Sequence, residues 1–418
     1  MKNPHLFVLA FATTLAFSDA QDTSLDFETA PVLEASRTLE PALLRGPHHR
    51  VREHAPSDGY LTHYTMDSDF GVFTCVGRRE LERRILELQA IEKLTEVSKS
   101  DLFAEGLKRS VEAPIDAVKN IASDPEKAIK QAPKTVGHFF SKVSQSVGNT
   151  ARRVGKRFDD EPKEDVDWAQ TGKGISTAAK SVAGFDQAKL DTARQLGVDP
   201  YTDNSRLQDE IEKVTWAFFA GGLPLRVGAA AVSGGASAAL TVTTTVGIPE
   251  DIYDTTPSEL AFRDREALTS MGVDDQTLNE LFLNPSLTVS LRHGIVQSLR
   301  QLPSGPGQVE IIRLAHGLPN PRQVTFLNQA LATLVERHRQ APYQEVNVFG
   351  RLPAGLTADG YLEVPAPVDE VFWTEQVAGF AAREDLAISK RRLLLDGSLS
   401  ATAHAGFKHN GWEIVSRP

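Results

Sequence analysis

The sequence predicts a mainly α-helical chain with small β elements (α+β), and three observations lead to that class. Apolar residues recur at three- and four-residue spacing over long runs, most clearly in RRELERRILELQAIEKL from Arg78. Alternating β-rich stretches are few and short. The stretch Trp216 to Ile248 is rich in Gly, Ala, Ser and Thr, carries Arg226 as its one charge, and reads as a buried central segment around which the helices are arranged.

The chain opens with Lys2, a twelve-residue apolar run from Leu6 to Phe17, and Ser18-Asp19-Ala20 before Gln21. This is the pattern of a cleavable signal peptide over residues 1–20 and directs the protein to the periplasm or outside the cell. Removing it deletes one Lys and one Asp and leaves the net charge at −10. A hydrophobic content of 41% is that of a globular chain. Cys75 is the single cysteine, so no intrachain disulfide can form, and it reads as a small apolar residue buried in a strand.

Residues 21–57 carry Pro31, Pro41, Gly46, Pro47 and Pro56 among scattered charges and read as an irregular tether. Residues 58–158 are expected to hold a β-hairpin and basic amphipathic helices. The hairpin joins Tyr60–Met66 to Phe70–Val76 through a three-residue Asp67-Ser68-Asp69 loop. Arg78 then opens a helix whose Leu81, Ile85, Leu88 and Ile91 form one apolar stripe. Between residues 102 and 158, eleven Lys or Arg against five acids leave +6, and therefore −16 in the rest of the chain. Residues 167–255 read as a helical region containing the Gly/Ala-rich segment. That segment is long enough to span a bilayer, but its small residues contribute little to insertion, and Gly221, Gly222 and Pro224 interrupt a helix entering it. Residues 256–342 read as helical hairpins near 257–271, 275–283, 286–302, 307–316 and 321–340, the first opened by the capping box Thr256-Pro257-Ser258-Glu259. Residues 343–418 read as a small mixed α/β tail with strands near 393–395, 398–403 and 412–415.

Tests for chemistry mostly fail. Thr171-Gly172-Lys173-Gly174 lacks the first glycine and the terminal Ser/Thr of a phosphate-binding loop. His48, His49, His54 and His63 cluster in sequence without a standard metal-ligand spacing, so neither a metal nor a cofactor is expected. His293 and His316, in the helical half, are the two candidate bases for an exported hydrolase with a site assembled from scattered residues. A net-acidic, exported chain whose basic region lacks interleaved aromatic residues is a poor nucleic-acid binder. One feature carries a mechanism. Phe139, Phe140, Val143, Val147 and Val154 share an apolar face flanked by Lys142, Arg152, Arg153, Lys156 and Arg157, which fits peripheral contact with an anionic lipid surface or with an envelope protein. The sequence thus points to a non-enzymatic envelope protein, with the hydrolase as the alternative.

Overall fold

The computed structural model describes residues 25–112, 184–227, 249–386 and 390–416. Residues 1–20, expected as a signal peptide, residues 136–158, expected as an amphipathic stretch, residues 171–174 and residues 228–248 of the Gly/Ala-rich segment lie outside the described residues.

The described part of 21–57 is built of short elements and not of an irregular tether. Strand β1 (Val32–Glu34) is followed by the single-turn helices α1 (Ala35–Thr38) and α2 (Pro41–Leu44), then β2 (Arg45–Gly46), β3 (His49–Val51) and β4 (His54–Pro56). Pro41 opens α2 at its first turn, where a missing N–H costs nothing, and Pro56 ends β4. Ala35, Leu43, Val51 and Ala55 are buried, which holds these elements in place. β5 (His63–Ser68) and β6 (Gly71–Val76) complete an antiparallel sheet in the order β2-β3-β5-β6. The hairpin loop is tighter than the sequence suggested. Ser68 pairs with Gly71, so Asp67 and Ser68 belong to β5. Gly71 at φ 127° and the Ser68 hydroxyl, which donates to the Gly71 carbonyl, allow the shorter turn.

Helix α3 (Arg78–Val97) lays Leu81, Ile85, Leu88, Ile91 and Leu94 against the sheet and against the helices that follow. These are α4 (Asp101–Glu112), α5 (184–196) and α6 (Ser205–Ala220). α4 and α6 cross closely because Gly106 meets Gly221 there: a Cβ on Gly221 would lie 2.7 Å from the Gly106 Cα. α6 ends at Ala220, where the sequence placed its interrupting glycines. No described helix is long and apolar enough to cross a membrane.

A 3₁₀ turn (Glu250–Tyr253) leads into α7 (Pro257–Ser270), α8 (Asp275–Leu283), α9 (Val289–Arg300), α10 (Pro306–His316) and α11 (Pro321–Gln340). Thr256, Asp274, Thr288 and Asn320 each accept a backbone N–H of the first turn of α7, α8, α9 and α11. Such side chains satisfy donors that a helix start otherwise leaves unpaired.

The C-terminal part corrects the predicted fold class. The β content is not small: strands β7 (Tyr343–Phe349), β8 (Leu352–Thr357), β9 (Tyr361–Ala366), β11 (Lys390–Leu395) and β13 (Trp412–Ser416) form a five-stranded mixed sheet in that order. With the four-stranded sheet and two two-stranded ones, β10 (Glu370–Val371) with β12 (Ser398–Leu399) and β1 with β4, the molecule is an α+β mixture. β7, β8 and β9 are an antiparallel meander, whereas β9, β11 and β13 run parallel. Parallel neighbours need crossover connections. α12 (Glu375–Ala381) lies in the first and α13 (Ala401–His409) in the second, so Ala401 to Ala403 are helical and not part of a strand. The Ser400 hydroxyl caps α13 by accepting from the Ala403 N–H. One face of the sheet packs on α10 and α11. The other buries Trp373, Phe407 and Trp412 beneath α12 and α13. The meander is hard to read in sequence because Pro353, Gly355 and Pro365 sit inside its strands. Gly355 is required by packing: a Cβ there would meet the Tyr343 ring at 2.7 Å.

One buried carboxylate fixes this sheet to α11. Glu363 of β9 is fully buried and accepts from Arg337 of α11 at 3.0 Å, from Arg392 of β11 at 3.3 Å and from the Tyr343 hydroxyl of β7 at 2.8 Å. Burial and the neighbouring carboxylate push the Tyr343 phenol far up, so it remains a donor. Removing the shared acceptor leaves the Arg337 guanidinium and the Tyr343 hydroxyl without their partner, while Arg392 keeps Glu413 at 3.0 Å. Glu363→Ala is expected to lower the unfolding free energy by about 3–5 kcal/mol in urea titrations. A loss of under about 1 kcal/mol would show that the joint is dispensable.

Candidate functional site

Among the described residues, a concave site lies where three parts of the chain meet. Val76, Gly77 and the first turns of α3 form one wall, and the first half of α11 faces it. The loop before α6 contributes Asp199 and Asp203, the start of α9 contributes Thr288 and Leu291, and the turn after β9 contributes residues 367–369. The cavity there has a volume of about 90 Å³ and is partly open to solvent.

Local sequence explains how the charged groups arrive there. Arg79, Glu80 and Arg83 sit one and four positions apart at the start of α3, so a single helix face presents them together. Gly77 precedes α3 with φ 85° and has no side chain to cap the helix. Asp369 supplies the cap from the far end of the chain: its Oδ1 accepts the Arg78 N–H at 3.0 Å, and Oδ2 accepts the Thr62 N–H at 2.9 Å. Burial raises the Asp369 carboxyl, and those two N–H groups oppose the rise.

The charges of the cleft are paired with one another. Arg79 donates to Asp396 at 2.8 Å, Arg83 lies 3.2 Å from Asp203, and Arg322 donates to Glu80 at 3.2 Å and to the Thr74 carbonyl at 3.1 Å. Asp199 is buried and accepts the Tyr201 N–H at 2.8 Å and the Ser290 hydroxyl. Burial pushes its carboxyl up to about 6, and these hydrogen bonds hold it below a still higher value. Beneath the floor, Glu87 accepts from Thr202 at 2.5 Å, Asn204 at 2.8 Å and Arg84 at 2.7 Å. Arg84 also reaches Asp203 at 2.9 Å, and this network fastens the 199–204 loop to α3. Gln329 of α11 also lines the cleft and is largely buried as a residue. Phe326, one turn earlier on the same helix, adds an aromatic wall.

The structure places the sequence-predicted bases elsewhere. His293 of α9 is buried outside the cleft, with Nδ1 2.6 Å from Asp264 Oδ1 and Nε2 3.1 Å from Asp251 Oδ1. Burial lowers its pKa, but the two carboxylates outweigh that and hold it raised. That arrangement ties the 3₁₀ turn to α7 and α9 and engages both ring nitrogens with carboxylates. His316, at the end of α10, lies 3.5 Å from Glu280. The four early histidines have separate partners or none in common: His48 contacts Asp69 and Glu92, His49 the Leu43 carbonyl, and His63 Asp58, while His54 is exposed in β4. Among the described residues no group of three or more His, Cys, Asp or Glu could hold a metal ion. Cys75 is fully buried in β6, and burial pushes its thiol up to about 12, which makes it unreactive. The amphipathic residues from Phe139 to Arg157 lie outside the described residues. The sequence reading missed Asp199, Gln329, Arg322 and Phe326. Only the Arg79/Glu80/Arg83 spacing carried a signal, and nothing local said which other stretches it would face.

Comparison with protein-family models, with curated proteins and with solved structures finds no match to this chain.

The His293 geometry sets a pH dependence. Its folded pKa is raised above 6.5, so its contribution to stability is complete below that unfolded value and is lost as pH rises through the folded value. Urea midpoints measured between pH 5.5 and 9 are expected to fall on the alkaline side. In His293→Gln that component of the fall should be absent, and an unchanged profile would remove His293 from the account.

Proposed function

We propose that this protein is an exported, non-catalytic binding protein of the cell envelope that holds a small polar ligand in the cleft between α3, α9 and α11. The observation that carries this reading is the cleft itself: residues far apart in sequence converge on one concavity, and their ion pairs preset its shape before any ligand arrives. Export rests on the leader over residues 1–20. Envelope attachment rests on the basic face of residues 136–158, which suits a peripheral contact with anionic lipid. Against the hydrolase alternative, both nitrogens of His293, one of its two candidate bases, are engaged by carboxylates.

Two measurements test the two halves of this reading. A thermal-shift panel of neutral, anionic and cationic small molecules is expected to contain a stabiliser, worth about 2.7 kcal/mol at a hundredfold excess over Kd. Thr325→Trp, which fills the cleft, should abolish that shift, and a panel with no stabiliser in any class overturns the binding reading. For the envelope half, residues 21–418 should float with anionic but not neutral vesicles. Flotation should weaken with salt and disappear when Arg152, Arg153, Lys156 and Arg157 are replaced by Glu. Absence of flotation at low salt sinks that half alone.

A further inference from the structure

We infer that Arg265, Arg292 and Phe282 form a second ligand site, outside the cleft, for the oxyanion head of a free acyl acid. Its hydrocarbon chain lies on Phe262 and Leu283. The argument begins with an unmet requirement. Arg292, near the start of α9, is 7% exposed, and its Nε has no hydrogen-bond partner: it faces Asp264 Oδ2 at 3.5 Å. The other oxygen of Asp264 is taken by His293 at 2.6 Å, so one carboxylate is shared between two groups. Buried polar groups are normally hydrogen-bonded, and a guanidinium carries five N–H donors. Arg265 of α7 donates to the Asn279 side chain at 3.2 Å and forms no ion pair among the described residues. Both guanidinium groups lie over one ring, with Arg292 4.3 Å and Arg265 4.8 Å from the Phe282 centroid. Burial pulls the Arg292 guanidinium below its ordinary value, Asp264 opposes that fall, and the like charge of Arg265 adds to it. An oxyanion relieves this crowding of like charge and supplies the missing acceptors.

The second observation is apolar. Phe262 and Leu283 are 68% and 73% exposed, the two highest values for large apolar side chains among the described residues. α7 and α8 are consecutive helices, and the Arg265–Asn279 bond sets them side by side. Phe262 lies one turn before Arg265 and Leu283 one turn after Asn279, so both stand at the end of the pair away from the connecting turn. Leu283 also follows Phe282 directly. Two exposed apolar side chains beside two under-partnered cations match an amphiphile, whose chain gains by leaving water as its head gains by meeting charge. The recess of Arg292 decides the source of that head. A carboxylate presented singly can pass Arg265 to reach it, whereas a headgroup held in the plane of a bilayer meets only groups that stand out from the surface. None of these five residues lines the cleft, so the inference is independent of the binding reading above.

Isothermal titration of the protein with sodium octanoate tests the inference. Acetate, octan-1-ol and octylammonium serve as comparators, and flotation with phosphatidylglycerol vesicles is the bilayer arm. Octanoate is expected to bind about tenfold or more tighter than acetate, which lacks the chain, and than the alcohol or the amine, which lack the anion. Its affinity should fall as NaCl rises. Arg265→Gln, at a partly exposed position, should weaken octanoate about tenfold while leaving the melting temperature within a few degrees. Phe262→Ser should bring octanoate towards acetate, and Arg292→Lys, which keeps the charge and loses the planar fork, should weaken it as well. Absence of octanoate binding rejects the inference. So does octanoate binding that survives both Arg265→Gln and Phe262→Ser, or equal binding of the alcohol or the amine. Octanoate binding abolished by Thr325→Trp places the acid in the cleft and overturns the assignment. Flotation that is lost in Arg265→Gln, without any octanoate binding, gives this surface to the bilayer and also overturns it.

Discussion

The contact on which the rest of the architecture depends is the Asp369 carboxylate at the start of α3. Helix starts expose N–H groups that need acceptors, and Gly77 has no side chain to provide one. Asp369, almost three hundred residues later, supplies it and takes the Thr62 N–H with its other oxygen. Backbone bonds follow the same seam: Asp369 N–H to the Tyr60 carbonyl, Phe372 N–H to the Gly59 carbonyl, and Glu28 N–H to the Trp373 carbonyl. The Glu28 carboxylate accepts from the Trp373 N–H and the Ser400 hydroxyl. The N-terminal sheet and the C-terminal sheet are therefore joined by directional bonds, and the cleft opens beside that join.

Buried carboxylates act as the other joints. Glu87 holds the 199–204 loop on α3, Glu363 holds the large sheet on α11, and Asp264 holds α7 on α9 through His293. Glu87 and Glu363 sit among several donors from different elements, the condition under which a buried charge is tolerated, while Asp264 is held by His293 with Arg292 at 3.5 Å from its other oxygen. Such joints specify one arrangement of parts that apolar contact alone would leave less defined. With a single, unreactive cysteine, the chain has no intrachain disulfide to fix its units, and these polar joints supply directional connections alongside the apolar core.

This economy bears on function. Ion pairs that serve as joints also line the cleft, so the site is largely preformed and its charges are already committed. Preformed sites lose less conformational freedom when a ligand arrives.

Much of the helical layout was legible locally. The apolar stripe of α3, the capping residues Thr256 and Asn320, and the glycines after Ala220 each act within a few residues, and the elements they mark stand where periodicity and capping put them. The large sheet was not legible, because Pro353, Gly355 and Pro365 are strand breakers by propensity and are accepted only through neighbours such as the Tyr343 ring. The cleft was legible in one of its walls alone. Arg79, Glu80 and Arg83 announce a charged helix face, but their partners Asp396, Arg322 and Asp203 come from far along the chain, 317 and 242 residues away for the first two. By itself, then, the sequence determined the helices, their caps and the lack of disulfides, all of which depend on neighbours along the chain. Tertiary structure decided the mixed sheet, the engagement of His293 and the ion pairs that line the cleft, because each depends on which distant groups burial brings within hydrogen-bonding reach.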